Sequence, residues 1–116
     1  MRELYATQSI LAKALLSARE AKKRIKSLRL AIGEISELDQ RSIQHIWDEV
    51  TQGTVAEHAQ LYFRSINAEV QCMACFKKYH PVDGKIHCPY CGSYGAKILS
   101  GEEFFLESVE LDDQQI

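Results

Sequence analysis

The sequence predicts a small α/β (α+β) body, two helices on a three-stranded sheet, with an inserted lobe built around four cysteines. Three observations carry that reading: apolar residues recur at three- and four-residue intervals in two segments, they alternate in three others, and two Cys-x2-Cys pairs stand in a stretch of different texture. At 116 residues the chain fits one compact unit or two very small ones. Its 46% apolar and 26% charged residues exclude disorder throughout, and a net charge of -2 does not suit a protein that wraps a polyanion.

Residues 4–25 read as the first helix. Ile10, Ala14, Ala18, Ala21 and Ile25 fall on one face, with Leu11 and Leu15 beside them, and no Gly or Pro interrupts. Its end is basic: Lys22, Lys23, Arg24 and Lys26 complement the negative end of the helix dipole, and the same run can dock an acidic partner. Leu28, Leu30 and Ile32 then alternate with Arg29, Ala31 and Gly33 in a strand that Gly33 ends or bends. Ser36 and Asp39 are candidate N-caps for a second helix in which Ile43, Ile46, Trp47 and Val50 share a face, so Trp47 belongs to the core.

Gly53-Thr54 stops that helix, and Ala59, Leu61 and Phe63 open a second strand that Ile66, Ala68 and Val70 extend. From residue 71 short Cys, Lys, Gly and Pro punctuation takes over. A strand-like run from Glu103 to Leu111 returns to the body's sheet, and the polar DDQQI tail is expected to fray. The resulting divisions are 1–69 for the body, 70–100 for the lobe, and 101–116 for the returning strand and tail.

Cys72-x2-Cys75 and Cys88-x2-Cys91, separated by the twelve residues Phe76 to His87, are the strongest chemical signal. Two residues between cysteines let both sulfurs of a tight turn face one ion, and two such turns complete the tetrahedron that Zn2+ accepts. The lobe therefore reads as a zinc ribbon. Pro89 fixes φ in the second turn, and Gly92 can take the positive φ that lets a backbone N–H reach a sulfur; the first turn, CMACF, lacks that glycine. Four thiolates leave no open position for water, so the zinc is structural, and a segment this poor in apolar residues needs it to fold. Disulfides, free buried thiols and Cys-x2-Cys redox catalysis are the competing readings. His80 and His87, between the turns, could bind a metal through a neutral imidazole. His45 falls near the buried face of the second helix, and His58 is an exposed residue leading into a strand.

No apolar run reaches the roughly 18 to 20 residues of a membrane span, the longest being broken by Lys13, Arg19 or Glu34. MRELYATQSI is not patterned as a secretory signal, which points to a reducing cytoplasm, where cysteines stay available to a metal. Neither a phosphate-cradling loop nor a paired-carboxylate or Ser/His/Asp arrangement is present, so the chain reads as a non-enzyme.

Four separated blocks, MRELYATQSIL, IGEISELD, TQGTVAEHAQL and CPYCGSYGAKILSGEEFFLESVEL, resemble the hydrogenase nickel-incorporation metallochaperones, the HypA/HybF family, over essentially the whole chain. The resemblance implies a two-lobed nickel carrier for [NiFe]-hydrogenase maturation, with zinc on Cys72, Cys75, Cys88 and Cys91. It also implies two partners, a nickel-handling maturation GTPase and the hydrogenase large subunit; the chain's acidic balance argues against nucleic acid, the lack of a long apolar run against a membrane, and homodimerisation is left open.

The resemblance breaks at position 2. The family binds Ni2+ through the N-terminal amine, a second-position His and nearby backbone nitrogens, but here that residue is Arg2. A guanidinium has no lone pair to offer. The Met1 amine and the Arg2 and Glu3 backbone amides remain, with the Glu3 and Asp39 carboxylates as oxygen donors, for a weaker and transient site; helix start and helix cap are the competing roles of those two acids. The alternative functions are a paralogue that keeps fold and docking but not N-terminal nickel, with Arg2 meeting an acidic surface, and a zinc-ribbon adaptor using Lys77, Lys78 and Lys85.

Overall fold

The computed structural model describes residues 2–82 and 85–115. The elements run α1 (Arg2–Ala21), β1 (Lys23–Gly33), α2 (Gln40–Val50), β2 (Gln60–Ile66), β3 (Glu69–Cys72), β4 (Lys78–Tyr79), β5 (Ala96–Ser100) and β6 (Phe104–Gln115). Contacts divide the chain into a first unit of residues 1–31, 38–64 and 104–116 and a second of 32–37 and 65–103. Among the described residues no helix is long and apolar enough to cross a membrane.

The first unit is the two-helix, three-stranded body that the periodicities predict, with strand order β2-β1-β6. Helix α1 buries Thr7, Ile10, Leu11, Ala14 and Ala18. It ends earlier than its apolar repeat suggests: Lys22 takes a left-handed φ of 56° and Lys23 opens β1, so Ala21 is exposed and Ile25 enters the core from a strand. The basic run thus belongs to a turn and the first half of β1 rather than to a helix end. A β-branched residue between Arg24 and Lys26 gains more from a strand than from a further helical turn.

Asp39 caps α2 in extended backbone (φ -97°, ψ 122°), its carboxylate accepting from the Ser42 N–H. Of the two cap candidates the structure selects Asp39. Trp47 lies buried and donates from Nε1 to the Ala59 carbonyl at 3.1 Å, which fastens the helix to the start of β2. The helix stops at Val50, before Gly53-Thr54: Thr51 is its C-cap, with N–H and hydroxyl on the Trp47 carbonyl, and the next N–H, of Gln52, turns to Glu49 three residues back at 3.4 Å. Strand β2 ends at Ile66, so Val70 does not extend it but starts a different sheet. Strand β6 continues through Gln115, and the expected fraying does not begin at Asp112. Pairing beside β1 gives that backbone ladder partners whatever its side chains.

The second unit carries an antiparallel sheet of order β4-β3-β5, with Val70 opposite Tyr79 on one side and Ile98 on the other. Its core is small: Val70, Cys72, Tyr79 and Cys88, with Cys75 and Ala96 against them. Residues 32–37 join this unit through backbone bonds, Glu34 N–H to the Ile66 carbonyl at 2.8 Å and Ile35 N–H to the Gly101 carbonyl at 2.9 Å. The approach is so close that a Cβ on Gly33 would sit 1.9 Å from the Gly101 oxygen. Gly33 is therefore required by proximity to another backbone, as well as closing β1.

Candidate metal centre

Both Cys-x2-Cys segments are turns of the same design. In the first, the Phe76 N–H returns to the Cys72 carbonyl at 2.9 Å, and in the second the Gly92 N–H returns to the Cys88 carbonyl at 3.0 Å. Each closing residue has positive φ, 64° at Phe76 and 80° at Gly92. The expected conformation of Gly92 is found, but its N–H reaches a carbonyl and not a sulfur. The sulfur bonds come from inside the turns: Ala74 and Cys75 N–H to Cys72 Sγ at 3.3 and 3.4 Å, and Tyr90 N–H to Cys88 Sγ at 3.4 Å. Phe76 was not singled out by sequence reasoning, although its place one residue after the second cysteine mirrors Gly92.

The turns bring all four sulfurs within 4.8 Å of one another, with Cys72 to Cys91 at 3.5 Å and Cys75 to Cys88 at 3.7 Å. A tetrahedral ion with bonds of ~2.3 Å needs sulfurs ~3.8 Å apart. The donor set fits such an ion, whereas a disulfide needs ~2.05 Å. All four cysteines are free, and among the described residues theirs is the one group able to hold a metal.

Charge is prepared in the same place. The N–H groups of Cys75 and Ala74 outweigh burial and bring the Cys72 thiol down to about 6. Burial pushes Cys88 up, but the backbone N–H groups of Cys91 and Tyr90 hold it below the usual thiol range. Cys91 goes the other way: the Ser93 N–H favours its thiolate, but Cys72, burial, Cys88 and Cys75 together push it up to about 12. A cation held among the four sulfurs would favour the thiolate at each of them.

The histidines lie elsewhere. His80 Nε2 stands 2.7 Å from Glu34 Oε1, the oxygen that also accepts the Ala68 N–H at 2.8 Å. His87 stacks on Tyr94 with ring centroids 4.8 Å apart. Neither belongs to the sulfur group. His45 is exposed on α2 and pairs with Glu49 at 3.1 Å, against the expectation of a position near the buried face; His58 is exposed with a φ of 70°.

The second sequence-derived cluster is brought together in part. Met1 lies outside the described residues, and Arg2 and Glu3 form the first turn of α1. Glu3 Oε2 accepts the Asp39 N–H at 3.1 Å, while Asp39 Oδ2 accepts from Ser42 N–H at 3.0 Å and Ser42 Oγ at 2.8 Å. Those bonds hold both carboxyls below their ordinary range, chiefly the Asp39 N–H for Glu3 and the Ser42 hydroxyl for Asp39. Both acids thus have structural work, fastening the start of α1 to the cap of α2.

The family model described as hydrogenase/urease nickel incorporation metallochaperone HypA matches residues 1–111. The chain belongs to this family. Curated members include the hydrogenase maturation factor HypA of Dehalococcoides mccartyi strain 195, 36% identical over 115 residues that span 98% of this chain and 97% of that one. The HypA of Aquifex aeolicus is 32% identical over 113 residues, 97% and 98% of the two chains. The solution structure of the Ni metallochaperone HypA from Helicobacter pylori aligns with a TM-score of 0.64 at 21% identity, covering 94% of this chain and 96% of that one, which establishes the fold in common. Within the HypA family of nickel metallochaperones for hydrogenase maturation, this member carries a four-cysteine cluster compatible with a structural zinc site.

Proposed function

We propose that the chain delivers nickel during [NiFe]-hydrogenase maturation, from a body of residues 1–69 and 101–116, with zinc held structurally in the 70–100 lobe by Cys72, Cys75, Cys88 and Cys91. Its strongest support is the family match along residues 1–111 together with a sulfur group of tetrahedral dimensions. Zinc bound there would supply a closed, redox-inert cross-link and no hydrolytic chemistry, since four thiolates saturate it. The chain acts in the cytoplasm without catalysing a reaction of its own. Its partners are the nickel-handling maturation GTPase and the hydrogenase large subunit.

The nickel donors are the Met1 amine, the backbone nitrogens of Arg2 and Glu3, and the carboxylates of Glu3 and Asp39. The backbone part is supported by position, since Arg2 and Glu3 form the first turn of α1. Arg2 favours a second reading, a paralogue that keeps fold and docking without carrying nickel at its N-terminus.

Calorimetric titration of Ni2+ into zinc-loaded protein with a free Met1 amine separates the two. Stoichiometric tight binding supports the carrier. Absent binding that Arg2→His restores supports the paralogue and overturns the carrier. Asp39→Asn keeps an oxygen for the helix cap, so a loss of nickel affinity in that variant assigns the carboxylate to the metal.

A further inference from the structure

Helix α1 has two working faces. One is buried in the core of the first unit, and the other carries Ala12, Leu15, Leu16 and Arg19 at i, i+3, i+4 and i+7 along an open groove of about 740 Å³. Gly53, Thr54 and Val55 form the opposite wall. That wall is fixed by the Ile25 N–H on the Val55 carbonyl at 2.9 Å and by the Thr54 hydroxyl, which donates to the Thr51 carbonyl at 2.7 Å. Leu15 and Val55 pack against the core from the groove side, and Leu16 leaves 58% of its surface to solvent. The cleft is thus an extension of the core that the described residues leave uncovered.

Its end is positively charged. Arg19 and Lys22 line the groove, and Lys23 and Arg24 follow. Among the described residues none of these four has an ion-pair partner. Cations suit the negative end of α1, but that role does not account for an apolar stripe beside them.

We propose that this groove docks an amphipathic, acidic helical segment of a partner protein. Its apolar side chains cover Leu15, Leu16 and Val55 while its carboxylates meet Arg19 and Lys22. An apolar channel between preformed walls suits a helix laid lengthwise, and the charge selects its sign. A second copy of this chain fits less well, since an isologous pairing sets this patch against itself and its lining offers Arg19 and Lys22 no carboxylate.

The test is a titration of isotopically labelled, metal-loaded full-length protein with a synthetic helical peptide bearing a leucine face and a glutamate face, and with the same peptide carrying lysines. The expected result is amide shifts at Ala12, Leu16, Gly53 and Val55 and a preference of about tenfold for the acidic peptide, the scale of two exposed ion pairs. Arg19→Glu with Lys22→Glu should reverse that preference, and Leu16→Ser should weaken acidic binding with Trp47 emission unchanged. Equal binding of both peptides, shifts confined to other surfaces, or shifts in these amides on concentrating the protein alone would each overturn the proposal. So would preferential binding to phosphatidylserine vesicles over the acidic peptide.

Discussion

Gly33→Ala is expected to be among the most damaging single-methyl additions in the chain. The new Cβ would stand 1.9 Å from the Gly101 oxygen, 2.1 Å from its carbonyl carbon and 2.5 Å from the Glu102 nitrogen. All three are backbone atoms, so no side-chain rotation relieves the overlap. Reaching an ordinary carbon–oxygen separation of ~3.4 Å means moving residues 101–102 by about 1.5 Å. That displacement breaks the Gly33 N–H bond to Glu103 at 2.7 Å and the Ile35 N–H bond to Gly101 at 2.9 Å. Overpacking costs about 1–3 kcal/mol and each lost backbone bond about 1 kcal/mol, for a total of ~3–5 kcal/mol. Hydrogen exchange of the Glu34 and Ile35 amides in metal-loaded protein should then accelerate by about 10²- to 5 × 10³-fold, with a lower urea midpoint. Gly53→Ala is the control: its φ of 78° carries a left-handed penalty of about 1 kcal/mol, but nothing lies within 4 Å of the added carbon. A Gly33→Ala protein no less stable than Gly53→Ala would refute the close-approach argument.

Cys88→Ser should lower bound metal below stoichiometric and remove exchange protection from β3, β4 and β5, while emission from Trp47, the only tryptophan, stays native; full metal retention would mean the ligand assignment is wrong. The Ala68 N–H, and then His80, hold Glu34 below its ordinary 4.5, so its contribution to stability is complete above that pH and lost as pH falls through the lower folded value. Acid unfolding of Glu34→Gln should therefore be flatter below about pH 4.5 than that of the unaltered protein, and coincident curves would exclude the linkage. Asp39→Ala should speed exchange of the Ser42 amide and fray the start of α2, whereas Asp39→Asn should preserve both, as read by amide exchange and helical ellipticity.

What the sequence made legible was whatever depends on near neighbours. The Cys-x2-Cys turns, the Asp39 cap and the buried face around Trp47 are all written within a few residues, and each stands where periodicity and spacing place it. The end of α1 was obscured because Ile25 continues the helical repeat while serving the same core from β1; a left-handed Lys22 carries no signal of its own. Gly92 showed its φ but not its acceptor, since the carbonyl and sulfur of Cys88 are both in reach of such a turn. The Glu34–His80 pair joins residues 46 apart, and the need for glycine at position 33 comes from residue 101. Such long-range juxtapositions have no local pattern to read.

Unequal exposure of the four sulfurs sets an order of events for metal exchange. Cys72 and Cys88 are buried, Cys75 is half-buried and Cys91 is exposed. A chelator or oxidant entering from solvent would meet Cys91 first, and three sulfurs would still hold a bound ion while that one is detached. With an ion held as proposed, metal turnover in the lobe would be governed by competition for a single outer thiol, and the lifetime of that ion could be lengthened or shortened at position 91 with the inner turns left intact.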